Sequence, residues 1–309
     1  MSLLTVSVPA KINLHLQILG PWGDGYHELW TLFQSIDLVD ELEVEDDPDG
    51  AVTLVVEPQG TAPQSGENLV LKAVSALRNR TGVARGAVFR LRKRIPVGAG
   101  LGGGSADAAA ALVALDRLWN TRLSDGELAD LAAEVGSDVG FFLHGGFALG
   151  RGRGDTIDRL PDLQPMAVVI VIPRREVSTA WAFSEADHRL TSRRPDATVE
   201  AFVAGHRESR GRDLPWGGLI NDFEEVVTER WPEIGRAART VWATGPVHAA
   251  LTGSGAAVFG LFADLAAARR AASEIGDEWR VHVGSTLGRR QAGLLDCRVD
   301  RREEEQTWK

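Results

Sequence analysis

The chain has 309 residues, of which 44% are hydrophobic and 25% charged, a composition typical of a soluble globular protein long enough for two domains. Its formal net charge of -9 disfavours a surface built to bind nucleic acid or anionic lipid, so we expect no nucleic-acid or membrane partner. Cys297 is the only cysteine, which excludes an intramolecular disulfide framework, and residues 1–16 lack the pattern of a signal peptide; both features favour a cytoplasmic protein.

The first predicted element is a strand over residues 11–18, where apolar and polar side chains alternate strictly. Lys11 and Asn13 fall on its polar face and therefore point the same way. We expect the opposite face, which carries Ile12 and Leu14, to be the buried one. The same reasoning predicts a glycine-rich loop at 20–26, strands at 29–38, 52–56 and 88–95, and a helix from 69 to 77.

The most unusual segment runs from Pro96 to Ser105 and places five glycines in ten positions. It leads directly into an alanine-rich helix predicted over residues 106–119. Backbone amides in such a loop, next to the positive end of a helix dipole, can bind a phosphate at close range because glycine has no side chain. The segment therefore predicts a phosphate-binding loop.

The glycine pattern by itself leaves the class of phosphate compound open. Residues 98–103 match G-x-G-x-x-G, the pattern of a dinucleotide-binding dehydrogenase. That fold requires an acidic residue about 20 positions later at the end of a strand, whereas Asp116 comes too early and lies inside the predicted helix. A Walker loop is excluded because no lysine follows Gly104. A nicotinamide-dependent dehydrogenase therefore remains an alternative.

The rest of the chain predicts a second domain of mixed helices and strands. A capping-box pattern at 124–127 begins a helix that ends near Gly136. We divide the chain into an N-terminal domain (1–160), a C-terminal domain (161–300) and a charged tail (301–309). The C-terminal domain is predicted as an α+β sandwich with helices on one face of its sheet, and residues 184–216 as polar and irregular. Its predicted strands cover 168–172, 249–251, 256–262 and 279–283, and its predicted helices cover 221–230 and 265–275.

Three motifs, in order along the chain, resemble those of the GHMP kinases, the family of galactokinase and of the homoserine, mevalonate and phosphomevalonate kinases. They are P-A-K-I-N at 9–13, P-x-x-x-G-L-G-G-G-S-A-D at 96–107 and L-T-G-S-G-A at 251–256. Shorter motifs at 24–29, 67–70 and 221–224 resemble the branch of this family that acts on a cytidine-diphosphate-linked alcohol. The resemblance implies an α+β, two-domain GHMP kinase fold. Its N-terminal domain would be like domain 2 of ribosomal protein S5, its C-terminal domain a ferredoxin-like α/β sandwich, and its active site would lie in the cleft between them.

The resemblance also implies an activity. A phosphoryl group would pass from ATP, with Mg2+, to the 2-hydroxyl of 4-diphosphocytidyl-2-C-methyl-D-erythritol, in the non-mevalonate route of isoprenoid and terpenoid biosynthesis. Another small-molecule kinase of the same family is the nearest alternative. In the implied site Lys11 and Asp138 are catalytic, and Asp138 receives the proton of the hydroxyl. On its local sequence alone, Asp138 could instead cap a helix beside Gly136.

Nucleotide and substrate residues are implied by the same motifs. The ATP-binding residues are Asn68, Leu69, Pro96, Val97, Gly98, Ala99, Gly100, Leu101, Gly102, Gly103, Gly104, Ser105 and Ala106. The substrate-binding residues are Asn13, Tyr26, His27, Thr179, Phe183, Gly253, Ser254 and Gly255. Tyr26 is expected to stack on cytosine while His27 reads its edge. Phe183 would form the opposite stacking face, with Trp181 as its competitor.

For the metal, we expect no site built from protein groups alone. Mg2+ would arrive with ATP and lie near Ser105, although a serine at that position is also an ordinary helix N-cap. One departure from the family pattern is Gly140, where proline is common.

Overall fold

The computed structural model describes residues 3–21, 26–189, 197–209, 214–295 and 300–302, and within them two sheets with flanking helices form an α+β fold, as predicted. The strands are β1 (Leu3–Pro21), β2 (His27–Asp47), β3 (Val52–Glu57), β4 (Gly86–Arg92), β5 (Phe147–Arg151), β6 (Thr156–Arg159), β7 (Ala167–Ile172), β8 (His248–Leu251), β9 (Val258–Phe262), β10 (Arg280–Ser285) and β11 (Asp300–Arg302). The helices are α1 (Leu69–Thr81), α2 (Gly103–Trp119), α3 (Asp125–Val135), α4 (Val139–His144), α5 (Thr179–Asp187), α6 (Ala197–Ser209), α7 (Glu224–Arg230), α8 (Pro232–Ala243), α9 (Leu265–Ile275) and α10 (Arg289–Ala292).

The first sheet is built around the long antiparallel pair of β1 and β2. Its strand order in the described residues is β11-β1-β2-β4-β3, and β5 joins β2 to β6. Helices α1 and α2 share a core with these strands, and the alanines of α2 let the helix lie close to the sheet because their side chains are small. This packing brings the loop before α2 against β1, where the Lys11 amide donates to the Leu101 carbonyl at 3.1 Å.

Both faces of β1 are buried around residue 12, whereas the alternation predicts one buried and one polar face. Ile12 and Leu14 pack in a cluster with Ile170 of the second sheet. Lys11 and Asn13 point the other way and are buried too, because the glycine loop and the turn after β8 cover them and supply hydrogen-bond partners.

The second sheet has the order β10-β7-β9-β8 in the described residues, with every neighbouring pair antiparallel. One face packs on α7, α8 and α9. The opposite face belongs to the same core cluster as residues of β1 and α6. Residues 184–216 are not irregular throughout. Val199, Phe202 and Val203 recur at helical spacing on α6 and bury themselves in the core between the sheets.

Some element limits differ from the predicted ones. Helix α2 begins at Gly103, three residues earlier than predicted, because the chain enters the helix through Gly102 in the left-handed region (φ 73°). Ser105 therefore lies in the first turn and is not the N-cap. The capping box of α3 and the limits of α9 are confirmed. The predicted domain division at 160/161 falls between β6 and β7 and stays a prediction.

In the part of the chain that the structure describes, no helix is long and apolar enough to span a bilayer. Cys297 and residues 303–309 of the predicted tail lie outside the described residues, as do the first two positions of the 24–29 motif.

Candidate active site

A cavity of about 920 Å³ opens between the first sheet, the glycine loop, α5 and the turn after β8. All the residues implied by the family motifs line it, with the exception of Ala106. Ala106 is fully buried in the core against the first sheet and does not line the cavity, and its predicted role as an ATP-binding residue stays a prediction. Residues far apart in the chain thus share one cleft.

Lys11 and Asp138 meet in this cleft. Lys11 projects from β1, Asp138 precedes α4, and the Lys11 Nζ atom lies 3.5 Å from Asp138 Oδ2. The Asp138 side chain makes no capping hydrogen bond with α4, although the residue occupies the N-cap position. Its carboxylate is therefore available to the cleft rather than used to cap the helix.

Lys11 is only 3% exposed, and its ammonium is held by oxygen atoms. The Nζ atom donates to Asn13 Oδ1 at 2.6 Å and to the Gly100 carbonyl at 3.0 Å. Burial lowers the pKa of Lys11 from its ordinary value, and the nearby Asp138 carboxylate opposes that shift. The result is a cation fixed between the glycine loop and the carboxylate at 138.

The glycine loop has the backbone that a phosphate-binding turn requires. Gly98, Gly100 and Gly102 adopt φ values of 69°, 77° and 73°, in the left-handed region that favours glycine. A Cβ atom at Gly100 would lie 2.0 Å from the Thr252 carbonyl oxygen, so a side chain there has no room. The loop ends at the N-terminus of α2, where the first amides have no partner within the helix and the dipole is positive. Those amides can bind an anion.

Asn68 and Leu69 form the wall near the start of α1. Asn68 Oδ1 accepts from the Val70 amide at 2.9 Å, so this residue caps α1 and also lines the cleft. Its Nδ2 donates to the Pro63 carbonyl at 2.7 Å. Asn68 is therefore both the N-cap of α1 and part of the cleft wall.

A hydrogen-bond network joins the two sheets directly beside Lys11. The Asn13 amide donates to Thr252 Oγ1 at 3.0 Å, and the Gly253 amide donates to Asn13 Oδ1 at 2.9 Å. Asn13 Nδ2 donates to Thr31 Oγ1 at 2.7 Å. The sequence includes Thr252 only as part of the motif at 251–256 and does not predict a role for it. Thr31 was missed because nothing in the sequence distinguishes it from other residues of a strand.

The far end of the cleft is aromatic. The rings of His27 and Phe183 stack at 4.5 Å with 17° between their planes, and His27 Nε2 lies 2.5 Å from Asp187 Oδ1. Tyr26 is 52% exposed, and the Arg153 guanidinium lies 4.7 Å from the centre of its ring. Phe183 therefore presents one face to His27, an arrangement that the sequence did not anticipate.

Trp181 and Thr179 occupy different positions on α5. Trp181 packs edge-on against Trp231, with ring centres 4.5 Å apart, which turns it toward the helices of the second sheet. Thr179 Oγ1 lies 3.0 Å from Ser254 Oγ inside the cleft. Of the two aromatic residues left open by the sequence, Phe183 is the one that lines the cavity.

Behind the glycine loop, Lys93 pairs with two buried carboxylates. Its Nζ atom donates to Asp40 and, at 2.7 Å, to Asp107 Oδ2. Burial raises the pKa of Asp107 to about 7, and its Oδ1 atom has no hydrogen-bond partner among the described residues. Sequence reasoning missed this cluster because lysine and aspartate at such spacing give no local pattern.

The residues around the loop fit a magnesium ion carried by phosphates better than one held by protein alone. No group of three or more His, Cys, Asp and Glu side chains in the described ranges could hold a metal. Ser105 and Asp138 both line the cleft, and each carries an oxygen atom of the kind that Mg2+ prefers. Mg2+ typically keeps phosphates and waters as most of its ligands, so few protein oxygens suffice.

The sequence of this chain is similar to known protein families and to individual kinases. The pattern for the GHMP kinases N terminal domain matches residues 68–146, and that for GHMP kinases C terminal matches residues 198–281. A 4-diphosphocytidyl-2-C-methyl-D-erythritol kinase of Pelotomaculum thermopropionicum is 44% identical over 87% of this chain and 93% of its own length. A kinase of the same name from Bordetella pertussis is 40% identical over 96% of this chain and 97% of its own length.

Solved structures agree. A crystal structure of 4-(cytidine 5'-diphospho)-2C-methyl-D-erythritol kinase aligns with a TM-score of 0.75 at 34% identity, covering 92% of this chain and 99% of that one. A homoserine kinase from Cytophaga hutchinsonii aligns with a TM-score of 0.70 at 20% identity over 94% of this chain and 96% of its own, and shares the fold alone. The expected two-domain GHMP kinase fold is confirmed.

Proposed function

Because this chain belongs to the GHMP kinases, we propose that it transfers the γ-phosphoryl group of ATP to the 2-hydroxyl of 4-diphosphocytidyl-2-C-methyl-D-erythritol, giving the 2-phosphate for isoprenoid biosynthesis by the non-mevalonate route. Relatives of that name, 40% and 44% identical over most of the chain, support the choice of substrate. One observation carries the chemistry: the 3.5 Å pairing of Lys11 with Asp138 beside a bed of glycine-loop amides.

In the proposed mechanism, the loop amides and the N-terminus of α2 hold the triphosphate, and the γ-phosphorus faces the Lys11–Asp138 pair. The substrate hydroxyl oxygen forms a bond to that phosphorus while the bond to the ADP oxygen breaks. Asp138 accepts the hydroxyl proton. The Lys11 ammonium stabilises negative charge on the transferred group and, through Gly100, stays tied to the loop.

Mg2+ belongs to the proposal as a companion of ATP. Ser105 would hold it through its hydroxyl, and the ion supplies neutralisation of phosphate charge when bound. The aromatic end of the cleft suits cytosine because a planar base gains free energy by stacking on side chains such as Tyr26. A cytoplasmic location is part of the same proposal, because a single cysteine in the sequence excludes an intramolecular disulfide framework.

The dehydrogenase alternative is wrong. The family that matches is a kinase family, and the strand before the glycine loop has the wrong setting for a dinucleotide fold. Strand β4 pairs antiparallel with β2 and parallel only with the edge strand β3, whereas a dinucleotide fold places the glycine loop after a central strand of a parallel sheet.

A substrate panel tests the proposal. Purified protein is incubated with ATP, Mg2+ and either the cytidyl substrate, mevalonate, homoserine or galactose, and products are followed by phosphorus NMR and mass spectrometry. We expect turnover of the cytidyl substrate with kcat/KM on the order of 10²-fold or more above the others, because the other alcohols lack a base, whose stacking is worth about 1–3 kcal/mol. Equal turnover of another alcohol, or none of the cytidyl substrate, would contradict the assignment.

A further inference from the structure

The glycine loop is fastened at both of its ends to one buried ion cluster. Lys93 lies three residues before Pro96, where the loop begins, and Asp107 lies in α2, shortly after the loop ends. The Lys93 ammonium donates to Asp107 Oδ2 at 2.7 Å and to Asp40 on β2. Lys93 belongs to the segment that enters the loop, and Asp107 belongs to the helix that follows it. The contact between these two side chains therefore holds the entry and the exit of the loop together.

Asp40 also binds the backbone of the segment that enters the loop. Its Oδ1 atom accepts from the Arg94 amide at 2.5 Å and from the Ile95 amide at 2.9 Å, the last two residues before Pro96. The side chains of Lys93, Asp40 and Asp107 are 2%, 0% and 4% exposed, so water does not compete for these contacts. The backbone that leads into the loop therefore has a fixed position relative to β2.

The cluster also underlies the start of α2. A Cβ atom at Gly103 would lie 3.0 Å from Lys93 Nζ and 2.8 Å from Ile95 Cγ2, so the first residue of the helix rests directly on the lysine. Lys93 and Asp107 both reach the wall of the cleft. The loop itself contains glycines in left-handed conformations. Its middle is held by Lys11, whose amide donates to the Leu101 carbonyl and whose ammonium donates to the Gly100 carbonyl. The cluster holds the two ends of the loop in addition to these contacts.

We propose that Asp107, acting through Lys93 and Asp40, is a positioning residue that holds the glycine-loop amides in place for the triphosphate of ATP. This inference rests on the proposed function for the identity of the nucleotide, and on the geometry of the cluster for the rest. Removing the tie to Asp107 frees the exit of the loop while Lys93 stays paired with Asp40. Binding of ATP then has to order the loop and weakens, whereas binding of the alcohol substrate does not change.

The decisive variant is Asp107→Leu. Removing one partner of a buried ion pair usually destabilises a protein, but the Lys93 ammonium keeps Asp40 here, and Asp107 already has one buried oxygen without a hydrogen bond among the described residues. We therefore expect a protein that still folds, with a melting temperature below that of the wild type. KM for ATP should rise about tenfold or more with little change in KM for the alcohol, a split that a purely structural role does not produce.

Two further variants make the comparison quantitative. Asp107→Asn keeps an oxygen for the Lys93 ammonium and should restore KM for ATP to within a few-fold of the wild type. Asp116→Ala is the control on the same helix, because Asp116 accepts from Thr121 Oγ1 and the Leu123 amide at the other end of α2. It should lower the melting temperature and leave KM for ATP unchanged.

Binding of a non-hydrolysable ATP analogue, measured by calorimetry without any alcohol, keeps this test independent of the substrate assignment. Hydrogen exchange of the peptide that covers the loop reports its order directly, and we expect faster exchange in Asp107→Leu than in the wild type without nucleotide. Wild-type analogue affinity and wild-type exchange in a folded Asp107→Leu would overturn the positioning role, whatever alcohol the enzyme phosphorylates. An equal rise in both KM values would overturn it too.

Discussion

Lys11 is a charged side chain buried where lysine is rare, and its partners explain how the position is tolerated. Burial of an ammonium is costly unless oxygen atoms replace the lost water, and here Asn13 Oδ1, the Gly100 carbonyl and the Asp138 carboxylate do so. Asp138, by contrast, keeps about a third of its surface exposed toward the cleft. The pair thus combines a fixed ammonium group with a carboxylate that is accessible from the cleft.

Replacing the Asp138 carboxylate should slow the chemical step without weakening the binding of ATP. We expect Asp138→Asn to lower kcat by roughly 10²-fold or more, because the amide cannot accept the hydroxyl proton. Affinity for ATP should stay within a few-fold, since the loop amides remain in place. Steady-state kinetics with both substrates measures this. Asp158→Asn, which changes an exposed carboxylate on β6 paired with Arg151, is the matched control and should behave as the wild type. Wild-type turnover in Asp138→Asn would show that the carboxylate is dispensable.

The aromatic end of the cleft gives a second test with single residues. Tyr26→Ala should raise KM for the cytidyl substrate about tenfold and leave KM for ATP unchanged, because stacking on a base is worth about 1–3 kcal/mol. Trp242→Ala removes a similarly exposed aromatic ring on α8, away from the cleft, and should change neither value. A rise in KM for ATP instead would mean that the pocket assigned to the cytidyl group in fact binds ATP.

At the scale of elements, the glycine loop and the turn after β8 fit together only without side chains. We expect Gly100→Ala to raise KM for ATP by at least tenfold, since the new Cβ would meet the Thr252 carbonyl at 2.0 Å and the backbone φ of 77° disfavours alanine. Gly82→Ala, at the C-cap of α1, carries a similar φ of 72° with nothing within 4 Å, so it reports the conformational strain alone. Equal effects of the two variants on ATP binding would contradict the role of close approach.

The elements that the sequence predicted well are those specified by local signals. Helix α9 starts after the capping residue Asp264, and α3 starts with the Ser124 capping box, so their limits follow from neighbouring side chains. Helix α6 was missed because its few apolar residues lie in a polar stretch, and only the core between the sheets makes them significant. The start of α2 was misplaced because glycines carry little helical preference of their own.

The site residues also divide into those that local sequence indicates and those that only the tertiary structure brings together. Glycine-rich composition at 98–104 indicates a phosphate-binding loop from local chemistry alone. The meeting of Lys11 with Asp138 depends on tertiary structure, and only the family resemblance linked these residues before the fold was known. Neither the local composition nor the family resemblance indicated the buried cluster of Lys93, Asp40 and Asp107. Its members come from three separate parts of the chain: Asp40 from β2, Lys93 from the position directly after β4, and Asp107 from α2.

At the scale of the whole molecule, His248 links the two sheets. Its Nε2 atom on β8 lies 3.0 Å from the Leu14 carbonyl of β1, which makes the neutral ring a donor to the first sheet. Burial lowers the pKa of His248 to about 4 from an ordinary 6.5. Between these pH values the unfolded chain binds a proton that the folded chain does not.

Stability should therefore fall as pH drops through this window. We expect His248 to contribute about 3 kcal/mol of stability above pH 6.5 that is lost progressively toward pH 4, at about 1.4 kcal/mol per pKa unit. Denaturant unfolding of the wild type and of His248→Phe at several pH values isolates the contribution as the difference between the two proteins. A difference that does not vary with pH between 4 and 6.5 would contradict a buried, neutral His248.

The convergence of both sheets on one reaction centre is best tested by a crystal structure with a non-hydrolysable ATP analogue and the cytidyl substrate bound together. We expect the triphosphate on the amides of 98–104, cytosine against Tyr26, and the substrate hydroxyl oxygen within about 3.5 Å of the γ-phosphorus, beside Asp138. A triphosphate bound elsewhere, or a hydroxyl far from both Lys11 and Asp138, would contradict the account.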